Sequence, residues 1–438
     1  MVHLTSHIAV ALQPAPGMTR RRLLGLASQL PLVGVFAHRA WAQTPPRVIV
    51  VGGGFGGATC AKYIRRADTA IDVTLVEPHR QFVTCPFSNA VLAGLRDVAS
   101  VTYGYDLLQQ RYGVRVIHAT AAALDPTTRR VTLDNGSVLP YDRLVLAPGI
   151  ELRWDALEGY DAAASEQFPH AWQAGPQTLL LRQQLVAMPD GGLVVIAAPE
   201  EPFRCPPGPY ERASLIAHYL KMSKPRSKVL ILDAKDAFSK QQLFQNAWQH
   251  LYPGMIEWIP RSQSGRVIRV DPKAGMVYTD FDEYKPAVAN IIPPQCAVAI
   301  ARTADLDAGQ GWCAVQPHSF ASTVHPDIHI LGDAAIANPM PKSAFSANNQ
   351  AKACAAAIVA LLRGREVPAP ALMNTCYSLV APDYGISIAA VYRVMDDKLA
   401  VVPGSSGVSP LDAPGDTRLQ EAEYAKSWYA NITADVFT

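Results

Sequence analysis

Apolar positions along this chain follow two alternating rhythms. Short β-branched runs read as strands buried in a parallel sheet, and Ala-rich stretches with apolar residues three or four apart read as the helices that cover them. The first run is Val48–Val51, followed by a helix over Ala58–Arg66 that packs through Ala58, Ala61, Tyr63 and Ile64, then a strand over Asp72–Val76. Tyr112–Ala119 reads as a strand, Arg130–Leu133 and Val138–Tyr141 as a hairpin around Asp134-Asn135-Gly136, and Arg143–Ala147 as a further strand. A second unit repeats the alternation with helix Pro176–Ala187, strand Leu193–Ala198, helix Tyr210–Met222 and strand Lys228–Asp233. Strands are expected between about Gly265 and Asn290, a buried strand before Gly332, a long helix over Ser343–Leu362, a strand over Ile386–Val394 and a helix over about Thr417–Asn431. Strand–helix alternation of this kind predicts an α/β protein built on two parallel-sheet units, with a C-terminal α+β segment from about Pro368.

Between the first strand and the first helix lie glycines at 52, 53, 54, 56 and 57. Gly52, Gly54 and Gly57 fit G-x-G-x-x-G: the first permits the tight turn, the second a close backbone approach to a pyrophosphate, the third close packing of helix on strand. Phosphates would then sit on free N–H groups at the helix N-terminus. Glu77 ends the second strand twenty residues past Gly57, where an acid accepts a hydrogen bond from an adenosine ribose and repels a 2′-phosphate. A glycine-rich turn without a ligand is the bland alternative; strand, fingerprint, helix, strand and terminal acid together argue against it. The fingerprint alone does not separate FAD from NAD.

The turn of the second unit is different. After Leu193–Ala198 it reads APEEPFRCPPGPYERASL, with five prolines, Cys205 at its centre and a single glycine, Gly208. Such a turn obstructs the backbone approach a pyrophosphate needs, so this unit is expected to keep the fold and to have lost its NAD site. The run His329-Ile330-Leu331-Gly332-Asp333-Ala334 lies about 280 residues past the first fingerprint. A buried strand ending in Gly-Asp-Ala resembles the second FAD fingerprint of glutathione-reductase-type flavoproteins, and Leu144 to Gly149, with Ala147 and Gly149, resembles the end of their first FAD half-domain. In such folds Asp333 bonds the ribityl or pyrophosphate portion, and the N-terminus of the helix from Ser343 faces the flavin and favours its anionic reduced form. The order of the two fingerprints selects FAD.

Composition narrows the rest. The chain has 438 residues, enough for two or three domains, with 49% hydrophobic and 17% charged residues. A formal net charge of +2 gives no reason to expect nucleic acid as a partner, and no apolar run after residue 43 approaches the ~20 residues a membrane span needs. Thr19-Arg20-Arg21-Arg22-Leu23-Leu24 resembles a twin-arginine export signal, and Ala40-Trp41-Ala42 reads as its cleavage site, with Met1 and Met18 both open as the start. Export predicts a periplasmic mature protein, where disulfides persist. The seven cysteines are 60, 85, 205, 296, 313, 354 and 376. Cys60 and Cys354 lie on Ala-rich helix faces and read as small buried hydrophobes. A structural pair of Cys296 with Cys313 stays open.

The segments VGGGFGGATCAKYIRRAD, FVTCPFSNAVLAG, PFRCPPGPYERASLI, GDAAIANPMPKSAFSANNQAK and NTCYSLVAPDYGISIAAVYR resemble the flavoprotein subunit of flavocytochrome c sulfide dehydrogenase over essentially the whole chain past the signal. The resemblance implies two Rossmann-like dinucleotide-binding domains of glutathione-reductase type plus a C-terminal α+β interface domain. It divides the chain into a signal peptide at 1–42, an FAD-binding domain at 43–160 and 291–367, a second Rossmann-like domain at 161–290 and a C-terminal domain at 368–438. It implies FAD attached covalently through Cys85 and contacted also by Lys342, a redox-active disulfide of Cys205 with Cys376, a proton-handling Glu211 and a Trp428 beside the site. The implied reaction takes sulfide to elemental sulfur or polysulfide and delivers electrons to a separate c-type cytochrome subunit, without membrane insertion; the chain carries no C-x-x-C-H haem motif of its own.

The chemistry suits those residues. Sulfide is a soft nucleophile, and exchange with a disulfide gives a persulfide on one cysteine and a thiolate on the other. Glu211, at a helix start near Cys205, can take a proton from hydrogen sulfide; its plain alternative is a solvated first-turn acid. For Cys205 and Cys376 the plain alternative is a structural disulfide, and for Cys85 a free thiol. Two other functions share this pattern: a sulfide:quinone oxidoreductase, and an idle flavoprotein that serves as a binding partner.

Overall fold

The first fingerprint turn leads from the central strand of a five-stranded parallel sheet into the helix that connects it to the neighbouring strand. The computed structural model describes residues 44–438, so the expected signal peptide and cleavage site lie outside the described residues. Along the chain the first unit consists of β1 (Arg47–Val51), α1 (Phe55–Ala67), β2 (Asp72–Val76), β3 (Arg115–Ile117) and β4 (Arg143–Leu146). The second consists of α2 (Pro176–Ala187), β5 (Leu193–Ala198), α3 (Gly208–Ser223), β6 (Lys228–Asp233), α4 (Gln241–Leu251), β7 (Ile256–Ile259) and β8 (Val288–Ile291). The chain then returns to the first unit through β9 (Ile328–Ile330) and α5 (Ala344–Leu362), and ends in the hairpin β10 (Ala371–Ala381) and β11 (Tyr384–Met395), strand β12 (Lys398–Val401) and helix α6 (Gly415–Phe437).

The first sheet runs β9-β4-β1-β2-β3, and every neighbouring pair is parallel. The second runs β7-β6-β5-β8, also parallel throughout. Each central strand is a run of Val, Ile and Leu with almost no exposure, because helices cover both faces of a parallel sheet. This is the α/β fold with two dinucleotide-binding units that the sequence predicts. The last three strands form a separate antiparallel sheet on which α6 packs.

Several elements differ from expectation for identifiable reasons. The segment from Tyr112 does not begin a strand: Asp106–Tyr112 is helical, and Gly113, at φ +65°, ends that helix in the left-handed conformation before the three-residue β3. Helix α1 starts at Phe55, inside the glycine run, because Gly54 stands as its extended N-cap. Helix α6 continues six residues past Asn431 to Phe437. Its end is fixed from α1, where the Lys62 ammonium donates to the carbonyls of Asp435 and Thr438 at 2.7 Å each and the Tyr63 hydroxyl donates to the Asp435 carboxylate at 2.7 Å.

Candidate functional site

A cavity of about 1010 Å³ opens where the first sheet, the turn after β5 and the C-terminal hairpin meet. That volume lies at the top of the range for small-molecule and cofactor sites. At one end are the backbones of Gly52, Gly53 and Gly54. Gly52 has φ +97°, and a Cβ there would stand 2.3 Å from the Ala147 carbonyl oxygen; a Cβ on Gly57 would stand 1.8 Å from the Gly52 oxygen. At Gly54 an added Cβ would meet only the Phe82 ring at 3.4 Å, so its backbone stays open to the cavity. Glu77 also lines this end. Its carboxylate accepts from the Gly53 N–H at 2.8 Å and from the His79 N–H at 2.9 Å, so it braces the glycine loop as well as facing the cavity.

Beside the glycine loop, at the ends of the neighbouring strands, stand Ala147, Gly149, Gly332 and Asp333. The Asp333 Oδ1 is buried and has no partner, while its other oxygen lies 3.9 Å from the Arg204 guanidinium. Burial pushes the Asp333 carboxyl up, with Arg204 and Lys342 opposing. An unpartnered carboxylate aimed into a cavity fits a ligand rich in hydroxyls, and the open glycine backbone at the N-terminus of α1 fits a pyrophosphate. FAD supplies both. Lys342, expected to touch the cofactor, lies outside the cavity lining: its ammonium donates to the carbonyls of Asp333 and Ala335 at 2.7 and 2.8 Å and sits 3.9 Å over the Trp312 ring. It holds the Gly332–Ala334 turn from behind, and burial there pulls its pKa down to about 8.

The expected sulfur residues converge on the same cavity from three separate elements. Cys85 lies in the loop after β2, Cys205 in the turn after β5, and Cys376 within β10; all three line the cavity with Glu211 and Trp428. All seven cysteines are unbonded, so the expected Cys205–Cys376 disulfide is not formed here and the pair stands as two thiols. Cys296 and Cys313 are likewise unbonded, and Cys60 and Cys354 are fully buried as expected. Cys205 adopts the left-handed conformation at φ +59°, with its N–H on the Lys342 carbonyl at 2.8 Å. Burial pushes the Cys205 thiol well up, the neighbouring Cys376, Glu211 and Cys85 push it further, and Arg204 opposes them. The Cys85 thiol lies 3.5 Å from the Trp172 carbonyl, and its loop is pinned by a 2.7 Å hydrogen bond between Thr84 and Tyr429 of α6. Trp428, one residue earlier on α6, stacks on Phe345 with ring planes 7° apart.

Glu211 sits in the first turn of α3, facing the cavity. Burial raises its carboxyl to about 7, against the pull of the Lys240 ammonium and of the Ser378, Asn89 and Arg212 side chains. This is not the environment of a solvated first-turn acid. A carboxyl poised near neutrality beside two sulfurs can accept and return a proton at ordinary pH.

Three cations around the site were not anticipated. Arg204 donates to the Trp172 carbonyl and reaches toward Asp333. Arg212, only 2% exposed, donates to Asn89, His170, Ala171 and Asn290 beneath Cys85 and Cys205, and burial lowers it to about 10. Lys240 stands immediately before α4 and donates to the Cys376 carbonyl at 2.9 Å and the Ser378 hydroxyl at 2.8 Å. Arg204 and Arg212 lie within the segment PFRCPPGPYERASLI, and Lys240 belongs to no recognisable motif. Arg204 and Arg212 flank residues the sequence singles out, which was the only signal available for them.

Comparison with known proteins places these residues in context. Residues 46–188 match the pyridine nucleotide-disulphide oxidoreductase family, residues 178–293 the central domain of the sulfide dehydrogenase (flavocytochrome c) flavoprotein chain, and residues 368–437 the flavin-binding domain of flavocytochrome c sulphide dehydrogenase. The sulfide dehydrogenase flavoprotein chain of Chlorobaculum thiosulfatiphilum is 73% identical over 45 residues, which is 94% of that sequence and 10% of this one. The mouse mitochondrial sulfide:quinone oxidoreductase is 22% identical over 307 residues, 67% of this chain and 66% of that protein. The structure of the Aquifex aeolicus sulfide:quinone oxidoreductase superposes with a TM-score of 0.71 at 19% identity, covering 89% of this chain and 92% of that one, and so shares the fold. The chain is thus an FAD-binding oxidoreductase of the sulfide-oxidising flavoproteins, and it belongs to the family of flavocytochrome c sulfide dehydrogenase flavoprotein chains.

Proposed function

We propose that this protein is the flavoprotein subunit of a periplasmic sulfide dehydrogenase that takes hydrogen sulfide to elemental sulfur or polysulfide at the Cys205–Cys376 pair and passes the electrons to a c-type cytochrome partner. The observation that carries the reading is the meeting of two cysteines and a near-neutral carboxyl, Glu211, in the cavity that also holds the glycine fingerprint and Asp333. In the oxidised protein, hydrogen sulfide attacks one sulfur of the pair, the disulfide opens, a persulfide forms on the attacked cysteine, and the other cysteine keeps the electron pair as a thiolate. Glu211 takes the proton released by hydrogen sulfide. FAD, when bound, accepts two electrons from the cysteine pair and hands them on.

Gly52, Gly54 and Glu77 would hold the adenosine and pyrophosphate end of FAD, with Gly57 letting the helix pack behind them, Asp333 would hold the ribityl or pyrophosphate portion, and Cys85 would be the point of covalent attachment. A covalent link suits an exported flavoprotein, which has no means of replacing lost cofactor. The proposed domain division is an FAD domain at 43–160 and 291–367, a second Rossmann-like domain at 161–290 and a C-terminal domain at 368–438. Among the described residues no helix is long and apolar enough to cross a membrane.

The test is an anaerobic visible spectrum of the purified protein before and after sodium sulfide, followed by addition of cytochrome c. Bleaching of the flavin band and then reduction of the cytochrome are expected. Bleaching with electron delivery only to a quinone would make this a sulfide:quinone oxidoreductase, and no bleaching would overturn the reading. Release of the flavin by acid precipitation would refute the covalent link at Cys85.

A further inference from the structure

Lys240 reaches the sulfur site from outside every motif. It sits at φ +60° in the connection between β6 and α4, and only 8% of it is exposed. A lysine that deep must be compensated. Its ammonium has two hydrogen-bond acceptors, the Cys376 carbonyl at 2.9 Å and the Ser378 hydroxyl at 2.8 Å, both on β10. Neither acceptor is charged. The anionic partners within its field are Glu211 on α3 and Cys376 itself; burial pushes both groups up, the Glu211 charge adds to the rise at Cys376, and the ammonium opposes the rise in each. Glu211 faces further groups: Arg212 beside it on α3, Asn89 after the Cys85 loop, Ser378 on β10, and the sulfurs of Cys205 and Cys376, both of which its charge disfavours as thiolates. Arg204, the cation nearest Cys205, is held to the Trp172 carbonyl and directed toward Asp333. The two sulfurs therefore differ: Cys376 has a cation of its own, and Cys205 shares one that is directed at the cofactor end.

We propose that Lys240 is the positioning residue of the sulfur site: by gripping β10 at Cys376 and Ser378 it holds Cys376 against Cys205 and makes Cys376 the sulfur that leaves as thiolate when the pair is opened. This rests on the sulfide-oxidising reading of the cavity. The step then runs in one direction. Hydrogen sulfide gives its proton to the Glu211 carboxylate and its sulfur to Cys205; the Cys205–Cys376 bond breaks, the bond from Cys205 to the incoming sulfur forms, and Cys376 retains the electron pair beside the Lys240 ammonium. One carboxylate is consumed and one thiolate appears, so charge and electrons balance without a further oxidant. A leaving thiol with a lower pKa departs faster, which gives the cation a kinetic consequence.

The test compares the native chain with Lys240→Gln, Lys240→Met and Lys240→Arg, each purified with its flavin and reduced with a dithiol. Iodoacetamide labelling at Cys376, followed by mass spectrometry across pH, reads thiolate formation independently of turnover. Gln keeps a donor for the Cys376 carbonyl while removing the charge, so it separates charge from support of the strand. The expected result is a labelling profile displaced to higher pH in the Gln and Met variants, about tenfold slower labelling at a fixed pH below the midpoint, and restoration by Arg. Labelling of Cys205 should change less than that of Cys376. An unchanged Cys376 profile in the Gln variant, with the visible flavin spectrum showing an intact fold, would overturn the proposal. Native protein that labels as expected but fails to bleach with sulfide would instead refute the proposed function and leave the role of Lys240 standing.

Discussion

Replacing Glu211 with Gln should stabilise the protein at alkaline pH while crippling it. The carboxyl is raised by burial from 4.5 to about 7. Below 4.5 it is protonated in both folded and unfolded chains. Between 4.5 and 7 the folded chain holds the proton more tightly, so stability declines as pH rises through this window and the full cost is present above about 7. Two and a half units correspond to about 3 kcal/mol, an upper figure for a group that faces a cavity solvent can enter. Gln has the same shape and does not titrate. Urea midpoints of both proteins between pH 5 and 8, followed by tryptophan fluorescence and visible flavin dichroism, should therefore converge at the acid end and separate in favour of the variant at the alkaline end. Buried histidines that titrate in the acid range cancel in the comparison. Sulfide-dependent flavin reduction should move the other way, falling about 10²- to 10⁴-fold as expected for loss of a positioned proton acceptor. Parallel stability curves would refute the burial argument; a stabilised variant with full activity would make Glu211 a structural carboxyl only.

Other perturbations read the remaining parts of the site. Substituting Cys205 or Cys376 by Ser should abolish bleaching by sulfide while dithionite still reduces the flavin, and full retained bleaching in either variant would refute exchange at the pair. Gly57→Ala drives a Cβ to 1.8 Å from the Gly52 carbonyl oxygen, so a loss above about 4 kcal/mol and a purified protein depleted of flavin are expected; native flavin content would show that the turn yields. His329 is fully buried with its Nδ1 2.9 Å from the Ser319 carbonyl, and burial lowers its pKa from 6.5 to about 4. The unfolded chain binds that proton first, so stability present above 6.5 is lost as pH falls toward 4, by about 3 kcal/mol. Asn at this position can keep the bond to Ser319 without titrating, and acid unfolding midpoints of His329→Asn should move to lower pH.

What could be read from the sequence was what local chemistry dictates. The glycine spacing, Glu77 at a strand end and Gly-Asp-Ala after a buried run each depend on a few neighbouring residues, and Gly52, Gly54, Glu77, Gly332 and Asp333 line one cavity, while Gly57 packs behind it against Gly52. Strand β10 was missed because its pattern does not alternate cleanly: Thr375, Cys376 and Tyr377 are all half-buried where the cavity opens across both faces. Helix α4, with Leu243, Phe244, Ala247 and Trp248 buried, carried a helical period that went unused. Lys240 was invisible for a different reason. It lies 136 residues before its acceptor on Cys376, and only the docking of the second unit against the C-terminal hairpin brings them together.

The second unit shows why one turn cannot serve two ligands. In a doubly wound sheet the nucleotide crevice lies beyond the strand ends where strand order reverses, here between β5 and β8. A phosphate bound there needs free backbone N–H groups from the turn after β5. In this chain those groups are already committed: Arg204 N–H to the Gln295 side chain at 3.0 Å, Cys205 N–H to the Lys342 carbonyl at 2.8 Å, and Gly208 N–H to the Cys205 carbonyl at 2.8 Å. Glu200 and Glu201 line the adjoining crevice of about 670 Å³, where their charge repels a pyrophosphate. The same commitments hold Cys205 in its left-handed conformation and aim its sulfur into the cavity of the first unit. Nucleotide binding and presentation of the sulfur thus compete for the same backbone, and the five prolines between 199 and 209 weigh toward presentation of the sulfur. Isothermal titration with NADH should accordingly show no binding at micromolar concentrations, and NADH should not bleach the flavin. Micromolar affinity would mean that the turn can release its internal bonds, and the account of how Cys205 is presented would fall with it.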